Sequence, residues 1–178
     1  AISTGRVELG QGILHALRLI AAEELDVDLE RIEIVTAATG VTPNEGVTAG
    51  SMSIEMGGAA VRQACAWARR LLLARAAETL EVDASELAVH DGVVTGTTTN
   101  RSVDYWHLDD GTLFDVDLEE TTAEKAPAEY ALVGSRGLGD AHAGIVVDPP
   151  PIATRREVAT MVRGCLLYTS DAADDETS

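Results

Sequence analysis

A glycine pair that brackets one amide side chain is the first group of residues that could do chemistry. Gly10, Gln11 and Gly12 follow residues 6–9, which we predict to be β-like, and a predicted helix begins directly after them. Glycine lets backbone N–H groups approach a ligand closely, and a helix N-terminus carries partial positive charge that suits phosphate or another anion. The same pattern is typical of an ordinary strand-to-helix turn. On its own the loop indicates an anion site or a plain turn, and both interpretations stay open.

A second polar loop comes later in the chain and leads into another predicted helix. Residues 39–51 are rich in Gly, Thr, Pro and Ser and show no periodicity, and a loop of this length is often functional. Ser51 and Ser53 lie where that helix begins, so the sequence alone predicts plain N-cap residues there. A serine nucleophile is disfavoured, because Ser51 stands in Gly-Ser-Met-Ser rather than in a nucleophile elbow.

Two amphipathic helices must position these loops. Apolar residues recur at helical spacing over residues 13–25 and again over residues 53–80, in each case directly after a loop. The predicted buried face of the second helix comprises Ala60, Val61, Ala64, Cys65, Ala68, Leu71, Leu72, Ala76, Thr79 and Leu80. The arginines off that stripe, which we expect on a solvated face, are Arg62, Arg69, Arg70 and Arg75. Between the helices, residues 32–36 alternate with period two and predict a strand.

The second half of the chain predicts a β-hairpin. Residues 87–90 and 93–95 flank Asp91-Gly92, which is a strong signal for a two-residue hairpin turn. A capping-box spacing, Asp83 to Glu86, precedes the hairpin. We expect residues 97–102 to be a polar linker, the acidic residues between 103 and 129 to be a solvated surface, and residues 129–133 to be a last strand. The predicted fold class is therefore α+β.

Composition excludes several classes of function. The net charge of −17, from 13 basic and 30 acidic residues, argues against nucleic-acid binding, which needs clustered Lys and Arg. No apolar run approaches the ~20 residues that cross a bilayer, so we expect no integral membrane segment. Cys65 and Cys165 cannot build a zinc site or an iron–sulfur cluster, and Cys65 is predicted to be a buried small hydrophobe. The histidines lack metal-ligand spacing, so no metal-ligating residue is assigned.

Three separated stretches carry a resemblance to a known family. They are residues 5–12 (Gly-Arg-Val-Glu-Leu-Gly-Gln-Gly), residues 42–51 and the glycine-led helix start at residues 57–64. Together they resemble the molybdenum-cofactor-binding large subunit of the xanthine dehydrogenase/aldehyde oxidase family, most closely its isoquinoline 1-oxidoreductase and nicotinate dehydrogenase branch. The resemblance covers about residues 2–135, and we interpret the chain as an internal fragment of such a subunit.

The resemblance implies a fold and a domain division. The fold is a fragment of a molybdopterin-binding domain, with two helices packed on a small mixed sheet plus a β-hairpin. Residues 1–135 are expected to form this partial domain, and residues 136–163 stay unassigned. Residues 164–178 turn suddenly polar and acidic, so we expect a non-native, disordered tail.

The resemblance also implies which residues contact the cofactor. Gln11 matches the amide that hydrogen-bonds the molybdenum–pterin unit, and Gly10 and Gly12 match its close backbone approach. In the second loop the matching hydroxyls donate hydrogen bonds, while Ala49 and Gly50 lie beside metal and substrate without an obstructing side chain. The implied cofactor-binding residues are Gly10, Gln11, Gly12, Thr48, Ala49, Gly50, Ser51 and Ser53.

The implied reaction is oxidative hydroxylation of an N-heteroaromatic ring carbon or an aldehyde carbon. The implied cofactor is molybdopterin cytosine dinucleotide with molybdenum, and the implied partner is a small subunit with 2Fe–2S clusters. The family's catalytic glutamate has no match in this chain, and Asp140 stands in the wrong context to replace it. We therefore assign no catalytic residue and expect the fragment to be inactive alone, with its compartment left open. The alternative is a non-catalytic α/β module that binds an anionic ligand or a protein partner through the same loops.

Overall fold

The computed structural model describes residues 1–116 and 122–133. The helices are α1 (Ile13–Leu25), α2 (Ala59–Leu80, preceded by a π-helical turn at Ser53–Gly58) and the short α3 (Tyr105–Leu108). The strands are β1 (Ile2–Ser3), β2 (Ile34–Val35), β3 (Leu87–His90), β4 (Val93–Gly96) and β5 (Ser102–Asp104). Single 3-10 turns occur at Leu29–Arg31, Ala84–Glu86 and Pro127–Glu129. The α+β class is confirmed, and so are the two long helices.

Helix α1 packs directly against the N-terminal half of α2. Leu17 and Ala21 of α1 are fully buried in one cluster with Val61 and Cys65 of α2. A glycine makes the close approach possible, because a Cβ atom at Gly58 would lie 3.1 Å from Cδ1 of Ile20 in α1. Cys65 is 5% exposed, which confirms the prediction of a buried small hydrophobe.

A second hydrophobic cluster lies between α2 and the sheet formed by β3, β4 and β5. Trp67 is 1% exposed and lies against Phe114, with the ring centroids 6.1 Å apart. Leu72 of α2 and Val94 of β4 are fully buried in the same cluster. The predicted face of α2 omitted Trp67, which is a central residue of this core, and wrongly included Thr79, which is exposed.

The strands form two separate sheets. β1 and β2 pair in parallel, with Ile2 opposite Ile34, and β3, β4 and β5 form an antiparallel meander. The predicted hairpin is confirmed, with His90 opposite Val93, and so is the capping box that begins at Asp83. The predicted strand over residues 32–36 is shorter than expected, and β5 begins at the end of the predicted linker.

Two predicted strands are wrong, and both fail for the same physical reason. Residues 6–9 and 129–133 pair with no strand within the described residues. Instead the backbone N–H of Val7 donates to the hydroxyl of Thr48, and the N–H groups of residues 131–133 donate to the carboxylate of Glu23. Side-chain oxygens therefore satisfy backbone donors that a strand would have used in its ladder.

Buried charges anchor residues 122–133 to the C-terminal end of α1. The ammonium of Lys125 lies 2.6 Å from Oδ1 of Asp26 and donates to the carbonyl oxygen of Glu23 at 2.9 Å. The backbone N–H of Lys125 donates to Oε1 of Glu24 at 2.9 Å, and burial raises the pKa of the Glu24 carboxyl. This lysine offsets carboxylates that would otherwise be unfavourable at a helix C-terminus.

Arginines of α2 complete the same charge cluster. Arg69 donates to Oδ2 of Asp26 at 2.8 Å, and Arg62 pairs with Glu124 at 2.9 Å. Their side chains are only 30% and 26% exposed, so for these two the prediction of a solvated face is wrong. For Glu124 the predicted solvated acidic surface is also wrong, since its side chain is 20% exposed and ion-paired. The predicted tail at residues 164–178 and the segment containing Asp140 lie outside the described residues.

Candidate functional site

The two loops singled out by the sequence are hydrogen-bonded to each other. Oε2 of Glu45 accepts from the hydroxyl of Thr4 and from the backbone N–H of Gly5, both at 2.6 Å. Further along each loop, the N–H of Val7 donates to Oγ1 of Thr48 at 3.0 Å. A Cβ atom at Gly5 would lie 2.3 Å from the carbonyl oxygen of Pro43, so only glycine permits this approach. The structure thereby joins the segments before Gln11 and before Ser51.

A buried arginine lies beneath this junction. Arg6 is 2% exposed, and its Nη1 donates to the carbonyl oxygen of Val47 at 2.9 Å. Its Nε lies 3.9 Å from Oε2 of Glu45 and has no hydrogen-bond partner among the described residues. A Cβ atom at Gly57 would stand 3.5 Å from that Nε, so the start of the second helical segment closes over the guanidinium. Sequence reasoning missed Arg6, whose partners lie about forty residues away.

Gln11 closes the first loop on itself. Its Oε1 accepts from the backbone N–H of Leu9 at 2.6 Å, and its Nε2 donates to the carbonyl oxygen of Val7 at 2.9 Å. Gly10 and Gly12 adopt left-handed φ values of 95° and 78°, which glycine reaches without strain. The exposed Gln11 amide keeps one N–H and one oxygen lone pair for a further partner.

The N-terminus of α1, which the sequence indicated as an anion site, already has an anion. The carboxylate of Glu8 accepts the backbone N–H groups of Gly10 at 2.7 Å, Gly12 at 3.0 Å and Leu14 at 3.3 Å. The bond from Gly12 is the largest of the effects that lower the pKa of the Glu8 carboxyl. Sequence reasoning missed Glu8, although an acidic residue just before a glycine-led helix start is a signal for such a cap.

The second loop presents hydroxyls at a tight turn. Gly50 and Ser51 both have φ of 61°, and the carbonyl oxygen of Ala49 accepts from the N–H of Met52 at 3.2 Å. The hydroxyls of Ser51 and Ser53 make no hydrogen bond within residues 1–116 and 122–133. The predicted capping role of these serines is wrong, because Met52 occupies the N-cap position without a side-chain bond. A π-helical turn follows, a feature frequently found at functional sites.

The surface around both loops is partly apolar and lacks a metal-ligand cluster. The exposed apolar side chains include Leu9 (73%), Val41 (70%), Val47 (69%) and Met56 (47%). Across the described part of the chain, no group of three or more His, Cys, Asp or Glu side chains could hold a metal ion. Among the same residues, no helix combines the length and apolar character needed to cross a membrane.

Comparison with known proteins identifies the family. The family model described as the molybdopterin cofactor-binding domain matches residues 1–139, which include both loops and both long helices. The chain belongs to the molybdopterin cofactor-binding domain family. The resemblance inferred from the sequence motifs is thereby confirmed.

Relatives of this family member include proteins named as dehydrogenases and oxidases. A subunit of the nicotinate dehydrogenase of Pseudomonas putida is 33% identical over 130 residues, which are 73% of this chain and 11% of the relative. Xanthine dehydrogenase of Blastobotrys adeninivorans is 36% identical over 64 residues, and aldehyde oxidase 2 of Cavia porcellus is 39% identical over 64 residues. These 64 residues are 36% of this chain and 5% of each relative. The chain thus spans a small share of the length of each relative.

The two turns carry hydrogen-bond donors of the kind that a pterin and its phosphates would need. Two hydroxyls, at Ser51 and Ser53, and the second N–H of Gln11 are unbonded donors within the described residues. Neutral hydroxyl and amide donors beside tight turns are suited to phosphate oxygens and pterin edges. The guanidinium of Arg6, buried below the junction, adds positive charge without occupying the surface.

Proposed function

We propose that this chain is the part of a molybdenum hydroxylase large subunit that binds molybdopterin cytosine dinucleotide between its two loops. The observation that carries the proposal is the junction of those loops, in which Glu45 and Thr48 accept hydrogen bonds from residues 4, 5 and 7. A ligand that contacts the Gly-Gln-Gly turn would therefore have the hydroxyl-rich turn on the adjoining loop. The family match over residues 1–139 supports the same assignment.

Each proposed contact has a distinct physical role. The free N–H of Gln11 donates to the cofactor, while the positive φ values of Gly10 and Gly12 hold that amide at the surface. The proton of the Thr48 hydroxyl is available to donate, because its oxygen accepts from Val7. In the second turn Ser51 and Ser53 donate to phosphate oxygens, and Ala49 and Gly50 leave room for metal and substrate.

The bound cofactor would supply oxidative hydroxylation of an N-heteroaromatic ring carbon or an aldehyde carbon, and the chain's own residues would bind and orient it. We also propose that electrons leave through 2Fe–2S clusters on a separate small subunit. The Pseudomonas relative is itself one subunit of a dehydrogenase, which supports an enzyme of more than one subunit. The isolated chain is expected to be inactive, because no residue in it matches the family's catalytic glutamate.

The alternative of a non-catalytic anion-binding module is less well supported. In that hypothesis the same loops bind an anionic ligand or a protein partner, but at the first loop Glu8 already accepts the N–H groups of Gly10, Gly12 and Leu14. An external anion at this helix end would have to displace a covalently attached carboxylate. The hydroxyls of the second loop are therefore the better place for phosphate groups.

The form of the cofactor can be tested by its hydrolysis products. The full chain is expressed in a bacterium that makes the cytosine dinucleotide, purified and hydrolysed in acid. We expect an oxidised pterin and cytidine monophosphate in equal amounts, both absent after expression in a host defective in cofactor synthesis. Guanosine monophosphate would contradict the cytosine form, and absence of any pterin would contradict the proposed function.

A further inference from the structure

Glu8 turns back toward the helix that follows it. Its Oε1 accepts from the N–H groups of Gly10 and Gly12 at 2.7 and 3.0 Å, and its Oε2 lies 3.3 Å from the N–H of Leu14. The N–H groups of Gly12 and Leu14 are among the unpaired donors at the start of α1, and the N–H of Gly10 lies in the turn just before it. The N-cap residue of α1 is Gly12, which has no side chain that could cap the helix.

A free phosphate would compete poorly for this position. Glu8 is only two residues before Gly10 in the chain, so the effective concentration of its carboxylate at these amides is high. A free phosphate would in addition lose translational freedom on binding, which the attached carboxylate does not. Hydrogen bonds from N–H groups to a carboxylate are strengthened by charge, and the helix dipole favours the same negative group. A second anion at this helix end would also meet the negative charge of Glu8 directly.

The same bonds fix the turn that carries Gln11. Glu8 holds the backbone on both sides of Gln11, through Gly10 and Gly12, while the Gln11 amide bonds back to Val7 and Leu9. The turn is therefore stabilised by hydrogen bonds between its backbone and both the Glu8 carboxylate and the Gln11 side-chain amide. Gln11 itself stays exposed, with one N–H and one lone pair unused.

We propose that Glu8 is a positioning residue that occupies the anion position of α1, excludes the cofactor's phosphates from it and reserves the Gly-Gln-Gly turn for presenting Gln11. This inference rests on the proposed function for the identity of the ligand. The proposal that Glu8 closes the N-terminus of α1 to external anions also applies to the chain without cofactor, and that form of the chain is used in the test.

The test uses amide chemical shifts of the full chain during titration with inorganic phosphate. Glu8→Ala opens the helix end, and Glu78→Ala is the matched control, because Glu78 is exposed on α2 and its side chain makes no hydrogen bond within the described residues. In the wild type and the control, we expect phosphate to leave the amide signals of Gly10, Gly12 and Leu14 unmoved. In Glu8→Ala the same signals should move saturably as the phosphate concentration rises.

Phosphate binding at these amides in the wild type, as tight as in Glu8→Ala, would overturn the proposal. If Glu8→Ala disorders the turn, Glu8→Gln provides the second test, since it removes the charge and keeps the length and one acceptor oxygen. Amide exchange at Gly12 and Leu14 should then be about tenfold faster than in the wild type, with exchange at Ala68 in α2 unchanged. Unchanged exchange at Gly12 and Leu14 would overturn the proposal. Neither outcome depends on cofactor, so failure here and failure of cofactor binding are distinguishable.

Discussion

The backbone N–H of Val7 donates to the hydroxyl oxygen of Thr48 at 3.0 Å, across 41 residues of sequence. This bond joins the two turns that family resemblance singles out, one leading to Gln11 and the other to Ser51. It also determines what Thr48 can do for a ligand. Because the oxygen accepts from Val7, the hydroxyl proton is free to donate outward.

Removing the Thr48 hydroxyl should loosen this junction. In Thr48→Val the shape is kept and the acceptor is lost, so the N–H of Val7 exchanges faster and the free energy of unfolding falls by about 1 kcal/mol. Thr98→Val is the control, because Thr98 is exposed and its hydroxyl makes no hydrogen bond in the described part of the chain. Equal stability of the two variants, with unchanged exchange at Val7, would contradict the role assigned to this bond.

Adding a methyl group to Gly5 should force the two loops apart. The new Cβ would lie 2.3 Å from the carbonyl oxygen of Pro43, so Gly5→Ala is expected to lower the free energy of unfolding by about 2 kcal/mol. Gly111→Ala serves as the control, since its φ of 82° strains alanine but no atom lies within 4 Å of its Cβ. Chemical denaturation measures both. A smaller loss for Gly5→Ala than for Gly111→Ala would show that the loops are not in tight contact.

Asp91 should make stability depend on pH in the acid range. Its Oδ1 accepts from Nε of Arg31 at 2.6 Å, and this hydrogen bond is the largest cause of the lowered pKa of the Asp91 carboxyl. A carboxyl with a lowered folded-state pKa stabilises the protein above its unfolded value, near 3.8, and loses that effect as pH falls through the folded value.

Comparison of the wild type with Asp91→Asn isolates this effect, because asparagine tolerates the left-handed φ of 47° at this position. At neutral pH the wild type should be more stable by about 0.5 kcal/mol, a small value because solvent screens this partly exposed pair. The difference should shrink towards zero below pH 3.8. A difference that stays constant from neutral to acid pH would contradict the assignment.

Lys125 should be the most sensitive residue of the charge cluster on α1. Lys125→Met leaves Asp26 and Glu23 without their ammonium partner, which is 8% exposed, so we expect a loss of about 3 kcal/mol. Amide exchange at residues 131–133 should rise as that segment loses its anchor. Arg75→Met is the control, since Arg75 and Asp110 are 37% and 51% exposed and should contribute under about 1 kcal/mol. Equal losses for both variants would contradict the anchoring role.

Elements defined by local spacing were predictable from sequence, and elements defined by distant partners were not. Helix α1 and the Asp91-Gly92 hairpin follow from apolar periodicity and turn chemistry within a few residues. Residues 6–9 and 129–133 have the composition of strands, yet their N–H groups bond side chains far away in sequence. The carboxylate of Glu23, for example, is more than a hundred residues from its donors.

In the candidate site, too, the local motifs were predictable from sequence and the contacts between distant residues were not. Gln11 and the Thr48–Ser53 segment were accessible through their motifs, but the structure alone shows how the loops adjoin. Arg6 looked like an ordinary strand residue, and its burial depends on Glu45 and Val47 from the other loop. Glu8 was overlooked because the pattern of glycines suggested an external anion where the chain supplies its own.

Molybdenum content shows whether the two joined loops hold a molybdenum cofactor. Ser51→Ala combined with Ser53→Ala removes hydroxyls that make no hydrogen bond in the described residues, so the fold should be unaffected. After expression with cofactor synthesis intact, elemental analysis should find stoichiometric molybdenum in the wild-type chain and in Thr98→Ala, and a loss of most of it in the double variant. Wild-type chain without molybdenum, or a double variant that retains all of it, would show that the two loops do not hold the cofactor in this way.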